Sequence, residues 1–225
     1  MTLSVKAHES LDYAHLLDIS QVDPVKVNST EDKCLEEIGA LLTKTDAYKY
    51  VGISLLHKHF DVADNELMLH DFSSDKTEIV GFPRLNIKPS SSRYSPINMK
   101  FSNDISGDIS LIGLDYVASN DVDINDHLNE SLLNELKQIF IKCHMSNRFG
   151  IRLLLNLDHN SETTYIEFSD SLARRSVCNL IPRSDSRLDS TIETVWQWEK
   201  TDSGFSKMDC VMCCYTSSEG HVKWC

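Results

Sequence analysis

The amino-acid sequence predicts an α+β fold, in which a predominantly antiparallel β-sheet carries two main helices and a small Cys/His-rich C-terminal segment. Two segments have the apolar spacing of helices, and about nine short runs have the composition of strands. The two kinds of segment do not alternate along the chain, which argues against a parallel βαβ arrangement. We expect one domain over residues 29–205, after an irregular lead-in of residues 1–28 and before a tail of residues 206–225.

The two helices are predicted from apolar residues that recur at three- or four-residue spacing. In residues 29–46, Ser29 or Thr30 is placed to cap the first turn, and acidic residues follow. The apolar face of this helix comprises Leu35, Ile38, Leu41 and Leu42. In residues 126–145, Asp126 is placed to cap the start. The apolar face of this second helix comprises Leu128, Leu132, Leu136, Ile139 and Cys143.

The strands are predicted from runs of apolar residues bounded by turn residues. In chain order the runs are YVGISLLH, ELMLHDF, TEIVGF, INMKF, ISLIGLDYVA, IRLLLNLDH, TYIEF, SVCNLI and TIETVWQWE. The SSDK segment between the second and third runs predicts a hairpin turn. Residues 83–96 are rich in Pro and Ser and predict a long loop.

Composition limits the classes of function. The chain has 225 residues, of which 41% are hydrophobic and 25% charged, as in an ordinary globular protein with a sizeable core. Its formal net charge of −12 argues against nucleic acid as a partner, because phosphate binding needs a basic surface. The sequence has no signal peptide and no apolar run long enough to span a bilayer, so we expect a soluble cytoplasmic or nuclear protein with reduced thiols.

A first candidate site lies in residues 51–70, VGISLLHKHFDVADNELMLH. In an extended strand His57 and His59 project from the same face, and a turn after them would bring Glu66 and His70 close. Imidazoles and a carboxylate can bind a divalent metal or transfer protons. The alternative is that these histidines are core residues that form hydrogen bonds to the backbone or to a carboxylate.

A second candidate site lies in the C-terminal CVMCCYTSSEGHVKWC. Cys210 and Cys213 form a Cys-x-x-Cys pair, and His221 and Cys225 follow at short spacing. Three thiolates and an imidazole are a typical ligand set for structural zinc, with Cys214 as a substitute for Cys213. The alternative is a tail in which the cysteines are incidental or pack as small apolar residues.

These two stretches together resemble a group of fungal proteins that have an LLHxHF segment and a C-terminal CxxC/GH tail. The matching residues are Leu55, Leu56, His57, His59, Phe60, Glu66, Cys210, Cys213, Gly220 and His221. That group has a second His where this chain has Cys225. The resemblance implies no activity and suggests only that the two stretches belong together.

The sequence therefore supports two functional hypotheses. In the first, a polar His/Glu pocket forms a metal-dependent enzyme for a small molecule, with His57, His59 and His70 as ligands or acid–base groups and Glu66 as their carboxylate partner. A second divalent metal would then bind at this pocket, besides zinc in the tail. In the second, the chain is a non-catalytic, zinc-stabilised module that presents an acidic surface to a protein partner.

Overall fold

The computed structural model describes residues 5–7, 10–21, 29–85, 93–102, 110–118, 127–154, 157, 159–202, 204 and 207–215. Its helices are α1 (Ser10–Ala14), α2 (Ser29–Lys44) and α3 (Glu130–Lys142). Its strands are β1 (Val5–Ala7), β2 (Leu17–Asp18), β3 (Val51–Leu55), β4 (His57–Lys58), β5 (Glu66–Phe72), β6 (Glu78–Leu85), β7 (Tyr94–Phe101), β8 (Leu111–Ala118), β9 (Phe149–Leu153), β10 (Thr163–Asp170), β11 (Arg175–Pro182), β12 (Thr191–Glu199) and β13 (Lys207–Tyr215).

Ten of these strands form a closed β-barrel, in the order β8, β5, β6, β11, β10, β13, β12, β3, β9 and β7. Strand β7 pairs back with β8 and closes the ring. Strand β1 adds to β8 in parallel, and β2 and β4 form a separate two-stranded ladder. The predicted α+β arrangement is therefore wrong, because the described residues are mostly β, with a closed barrel and three helices.

The physical reason for the error is strand pairing. Apolar runs show which residues are extended but not which strands pair with each other. Two pairs in the barrel, β5–β8 and β10–β13, are parallel. Each of these pairs joins strands that are distant in the chain. An open sheet has two edge strands whose outer backbone groups lack hydrogen-bond partners. A closed ring has no such edges. The β5–β6 hairpin was predicted from its turn and is present.

Helices α2 and α3 pack against one part of the barrel wall. Their apolar faces share a single core with residues of β3, β9 and β12. The approach of α2 to β12 is close, since a Cβ at Gly39 would lie 2.1 Å from the indole nitrogen of Trp198. Val51 and Ile53 belong to this core, so the alternate residues of β3, including Ser54, face the barrel interior.

The helices begin close to their predicted positions. Helix α3 is capped by Asn129, whose side chain accepts a hydrogen bond of 2.9 Å from the Leu132 N–H, so the prediction of a cap at Asp126 is wrong. None of the helices in the described part of the chain is both long and apolar enough to cross a membrane.

A disulfide between Cys34 and Cys143 joins α2 to the end of α3. The expectation of reduced thiols is therefore wrong for this pair. The free cysteines among the described residues are all buried, and they are Cys178, Cys210, Cys213 and Cys214. Three of them lie on β13, in the segment that the sequence assigns to the tail.

Candidate metal centre

Four side chains with metal-binding atoms converge, namely His57, His59, Glu167 and Cys214, and we call them the metal group. Their ligand atoms all lie within 4.8 Å of one another. The two imidazole Nε2 atoms are 3.2 Å apart. The Cys214 Sγ lies 3.2 Å from His57 Nε2, 3.9 Å from His59 Nε2 and 3.1 Å from Glu167 Oε2. Glu167 Oε2 is also 3.2 Å from His59 Nε2. The metal group could therefore hold a metal ion.

The two histidines are brought together by a break in the barrel strand. Strand β3 ends at Leu55, and the N–H of Leu56 donates to the carbonyl of Arg148 at 2.8 Å. The chain then pairs with β2 through β4. The rings of His57 and His59 meet edge to face, with centroids 4.7 Å apart and an angle of 87° between the planes.

Glu167 and Cys214 come from the barrel wall, where they are register partners in the parallel pair β10–β13. Partners in a pleated ladder project from the same face, so both side chains reach the same point. Sequence reasoning missed Glu167 and treated Cys214 only as a substitute in the tail. A signal for Glu167 exists, because it is a lone acid between Ile166 and Phe168 in an otherwise apolar run.

Glu66, the predicted carboxylate partner of the histidines, pairs with Arg174. The guanidinium Nη1 donates to its carboxylate at 2.8 Å, and the backbone N–H of Ala63 donates to it at 2.9 Å. The acid that contacts the histidines is Glu167. Catalytic roles for the predicted residues stay predictions.

The predicted tail site is only partly within the described residues. Cys210 and Cys213 are buried on β13, with their sulfur atoms 2.9 Å apart. The other two predicted zinc ligands, His221 and Cys225, lie outside the described residues. A zinc site in the tail therefore stays a prediction.

The hydrogen bond of His57 to the backbone fixes its tautomer. Its Nδ1 lies 2.8 Å from the carbonyl oxygen of Leu55, which can only accept, so Nδ1 carries the proton. The lone pair is then on Nε2, the atom that faces the metal group. Burial, and next the charge of His59, lowers the pKa of His57 to about 4, so the ring is neutral and ready to bind a cation.

The other members of the metal group form an ion pair beside a neutral thiol. Burial alone would lower the pKa of His59, but the neighbouring Glu167 carboxylate outweighs it and raises that pKa. Burial alone would raise the pKa of Glu167, but the charge and hydrogen bond of His59 hold it well below its usual value. Burial and the Glu167 charge raise the pKa of Cys214, so its thiol keeps a proton until a cation displaces it.

Most of the separations between the ligand atoms are close to those of tetrahedral coordination. With zinc–nitrogen and zinc–oxygen bonds of about 2.0–2.1 Å and a zinc–sulfur bond of about 2.3 Å, a tetrahedron has edges of roughly 3.3 to 3.6 Å. Five of the six separations in the metal group lie between 3.1 and 3.9 Å, and none exceeds 4.8 Å.

The metal group opens onto a cavity of about 50 Å³. Eight of the ten barrel strands contribute to its lining, so the cavity lies inside the barrel. Residues from the strands that line it are Ser54, Leu55, Met68, His70, Asn98, Asp115, Arg152, Glu167, Thr194, Val195 and Met212. A water molecule needs roughly 10–15 Å³ by this measure, so the cavity admits only a few atoms.

A second polar cluster lines the same cavity and is centred on Asp115; we call Asp115, Tyr13, Asn98 and Arg152 the Asp115 group. Its carboxylate accepts hydrogen bonds from the Tyr13 hydroxyl at 2.8 Å, from the Asn98 amide at 2.9 Å and from Arg152 Nη1 at 3.1 Å. Predicted residue His70 lies 3.8 Å from the same carboxylate. Burial alone would raise the pKa of Asp115, but these neighbours lower it.

Comparison of the chain with protein-family models, with curated proteins and with solved structures finds no match. The resemblance to fungal proteins therefore stays a prediction. The functional argument depends on the geometry of the barrel interior.

Proposed function

We propose that the protein binds one divalent transition-metal ion, zinc in particular, inside its barrel through His57, His59, Glu167 and Cys214. The observation that carries this proposal is the convergence of the four ligand atoms within 4.8 Å. They come from three separate parts of the chain, and the fold brings them to one enclosed point.

The chemistry of the ligand set supports zinc. Two imidazoles and one thiolate suit a borderline-soft cation, and a single carboxylate completes a tetrahedral set. Magnesium and calcium prefer oxygen ligands and are disfavoured by this set. The thiolate and the carboxylate together also balance the charge of a divalent ion, which lowers the cost of burying it.

The size of the cavity limits what a metal ion here could act on. Pockets for drug-sized ligands have volumes of about 300–1,000 Å³. The cavity beside the metal group has a volume of about 50 Å³. An enzyme working through this ion would therefore act on a molecule of only a few atoms.

The alternative to a metal ion is a hydrogen-bonded cluster, in which the thiol donates to Glu167 and His59 pairs with the same carboxylate. Elemental analysis of purified full-length protein, after dialysis against a weak chelator, separates the two. We expect one zinc ion per chain, and a metal content near zero in Cys214→Ser and Glu167→Gln.

Matched controls locate the ion. Glu66→Gln changes the acid that the sequence predicts, and Cys210→Ser changes a buried thiol on the same strand as Cys214; both should keep the ion. Loss of zinc from Cys210→Ser but not from Cys214→Ser would place the ion in the tail. Absence of tightly bound metal from the wild type would overturn the proposal.

A further inference from the structure

The cavity wall carries hydrogen-bonding groups that lack a partner among the described residues. They are the Nε of Arg152 and both ring nitrogens of His70, of which Nε2 lies 3.8 Å from Asp115 Oδ1, beyond hydrogen-bond distance. Their side chains are 5% and 7% exposed, so bulk water does not solvate them freely. Both residues line the cavity. Buried polar groups are nearly always satisfied, so these two indicate something that occupies the space beside them.

The groups of Arg152 and His70 that lack a hydrogen-bond partner favour a ligand that accepts hydrogen bonds. The guanidinium of Arg152 is always protonated, so its Nε–H is a donor without an acceptor. An imidazole carries at least one N–H, so His70 adds a second donor. Two donors that line one small cavity favour an oxyanion, which offers several acceptor oxygens in a compact shape.

The volume and the charge of the cavity narrow the choice. A cavity of about 50 Å³ holds a ligand of roughly three or four non-hydrogen atoms. Glu167 and Asp115 bring two negative charges, which the positive charges of Arg152 and of His59 in its ion pair balance. A divalent ion that displaces the protons of His59 and Cys214 keeps this balance, so an anion meets no net repulsion in the zinc-loaded form.

We propose that the zinc-loaded protein binds a small oxyanion of the size of formate or hydrogen carbonate in this cavity, through Arg152 and His70. This inference rests on the proposed metal binding and names the class of molecule that the site accepts.

The neighbouring strand β6 packs closely against His70 through Gly81. Gly81 is the register partner of both His70 and Ser176 and lies between them. A Cβ at this position would lie 2.5 Å from Ser176 Oγ, 2.8 Å from Met68 Cε and 3.3 Å from His70 Cε1. Ser176 Oγ also lacks a partner in the described part of the chain. Gly81→Ala should therefore crowd His70 without removing a polar group.

The test is calorimetric titration of sodium formate into full-length, zinc-loaded protein. We expect saturable binding of one formate per chain. Arg152→Lys keeps the charge but loses Nε–H, and should weaken formate binding at least about tenfold. Arg148→Lys, at a half-exposed arginine outside the cavity lining, should leave it unchanged.

Zinc content and circular dichroism are measured on every variant first. Gly81→Ala, as a second variant, should keep the ion and bind formate more weakly. A wild type that binds zinc but shows no saturable formate binding would overturn this inference and leave the metal proposal intact. Equal formate affinity in Arg152→Lys would also overturn it, because the anion would then be held by the ion alone. A wild type without zinc would remove both proposals.

Discussion

The metal group and the Asp115 group share one cavity but satisfy their charges in different ways. The Asp115 carboxylate receives donors from Tyr13, Asn98 and Arg152, so the protein itself supplies its partners. The metal group instead presents a carboxylate, a thiol sulfur and an imidazole lone pair to a common point. The comparison teaches that burial of charged groups does not by itself indicate a candidate metal site. A cluster of electron-pair donors indicates one when few hydrogen-bond donors lie close enough to pair with it.

The largest effect is expected from Asp115→Ala. The change leaves the guanidinium of Arg152 buried without its carboxylate, and breaking a buried pair in this way costs about 3–5 kcal/mol of unfolding free energy. Asp209→Ala is the control, because Asp209 pairs with Arg183 where both side chains are about a quarter exposed. That loss should be about 1 kcal/mol or less by urea denaturation. Similar losses of unfolding free energy in both variants would contradict the conclusion that the Asp115 group is shielded from water.

The metal group should stabilise the fold only through its ion. Zinc at a hundredfold excess over its Kd should raise the unfolding free energy by about 2.7 kcal/mol, because the ion binds the folded chain. Thermal unfolding with and without zinc measures the gain. Cys214→Ser should abolish it and Cys210→Ser should keep it. A gain that survives in Cys214→Ser would refute the assignment of the ion to the metal group.

The contribution of the Asp115 group to stability should also depend on pH. The folded pKa of Asp115 lies below its ordinary value, so its ionised form contributes stability at neutral pH. That contribution is complete above the ordinary aspartate pKa of about 3.9 and is lost as the pH falls below it. We expect a loss on the order of 1 kcal/mol by pH 3, because each pH unit below the unfolded pKa is worth about 1.4 kcal/mol. Metal-free protein is unfolded with urea between pH 6 and pH 3, and Asp115→Asn should show a flatter profile than wild type. Parallel profiles would contradict the prediction.

The smallest effect is expected from Glu66→Gln. Glu66 is buried, but its partner Arg174 is 40% exposed, so water screens the pair. The variant should lose about 1 kcal/mol or less of unfolding free energy and should keep its zinc content. Loss of zinc would show that Glu66 acts in the metal group after all, as the sequence suggested.

Local features of the fold were predictable from the sequence. Helix α2 spans Ser29–Lys44, where apolar spacing predicts a helix, although Ser29 and Thr30 lie within it rather than before it. The turn between β5 and β6 lies where the SSDK segment predicts it. Periodicity could not show that the strands close into a ring, because pairing between distant strands leaves no local pattern.

Only two members of the metal group, His57 and His59, could be predicted together from the sequence. His57 and His59 are two residues apart, so a short extended segment is enough to aim their rings at each other. Glu167 and Cys214 lie more than a hundred residues further along the chain. A lone acid in an apolar run shows that a buried partner is needed but not which residue supplies it. The choice between a metalloenzyme and a non-catalytic interaction module stays a prediction.

The sequence by itself determined the extended segments, two of the helices and the pair of histidines, since each depends on residues within a few positions of one another. Only the tertiary structure decided that the sheet closes, that Glu66 pairs with Arg174, and that Glu167 and Cys214 meet the histidines. These outcomes depend on which distant strand edges satisfy each other's backbone hydrogen bonds, and that is a property of the whole barrel.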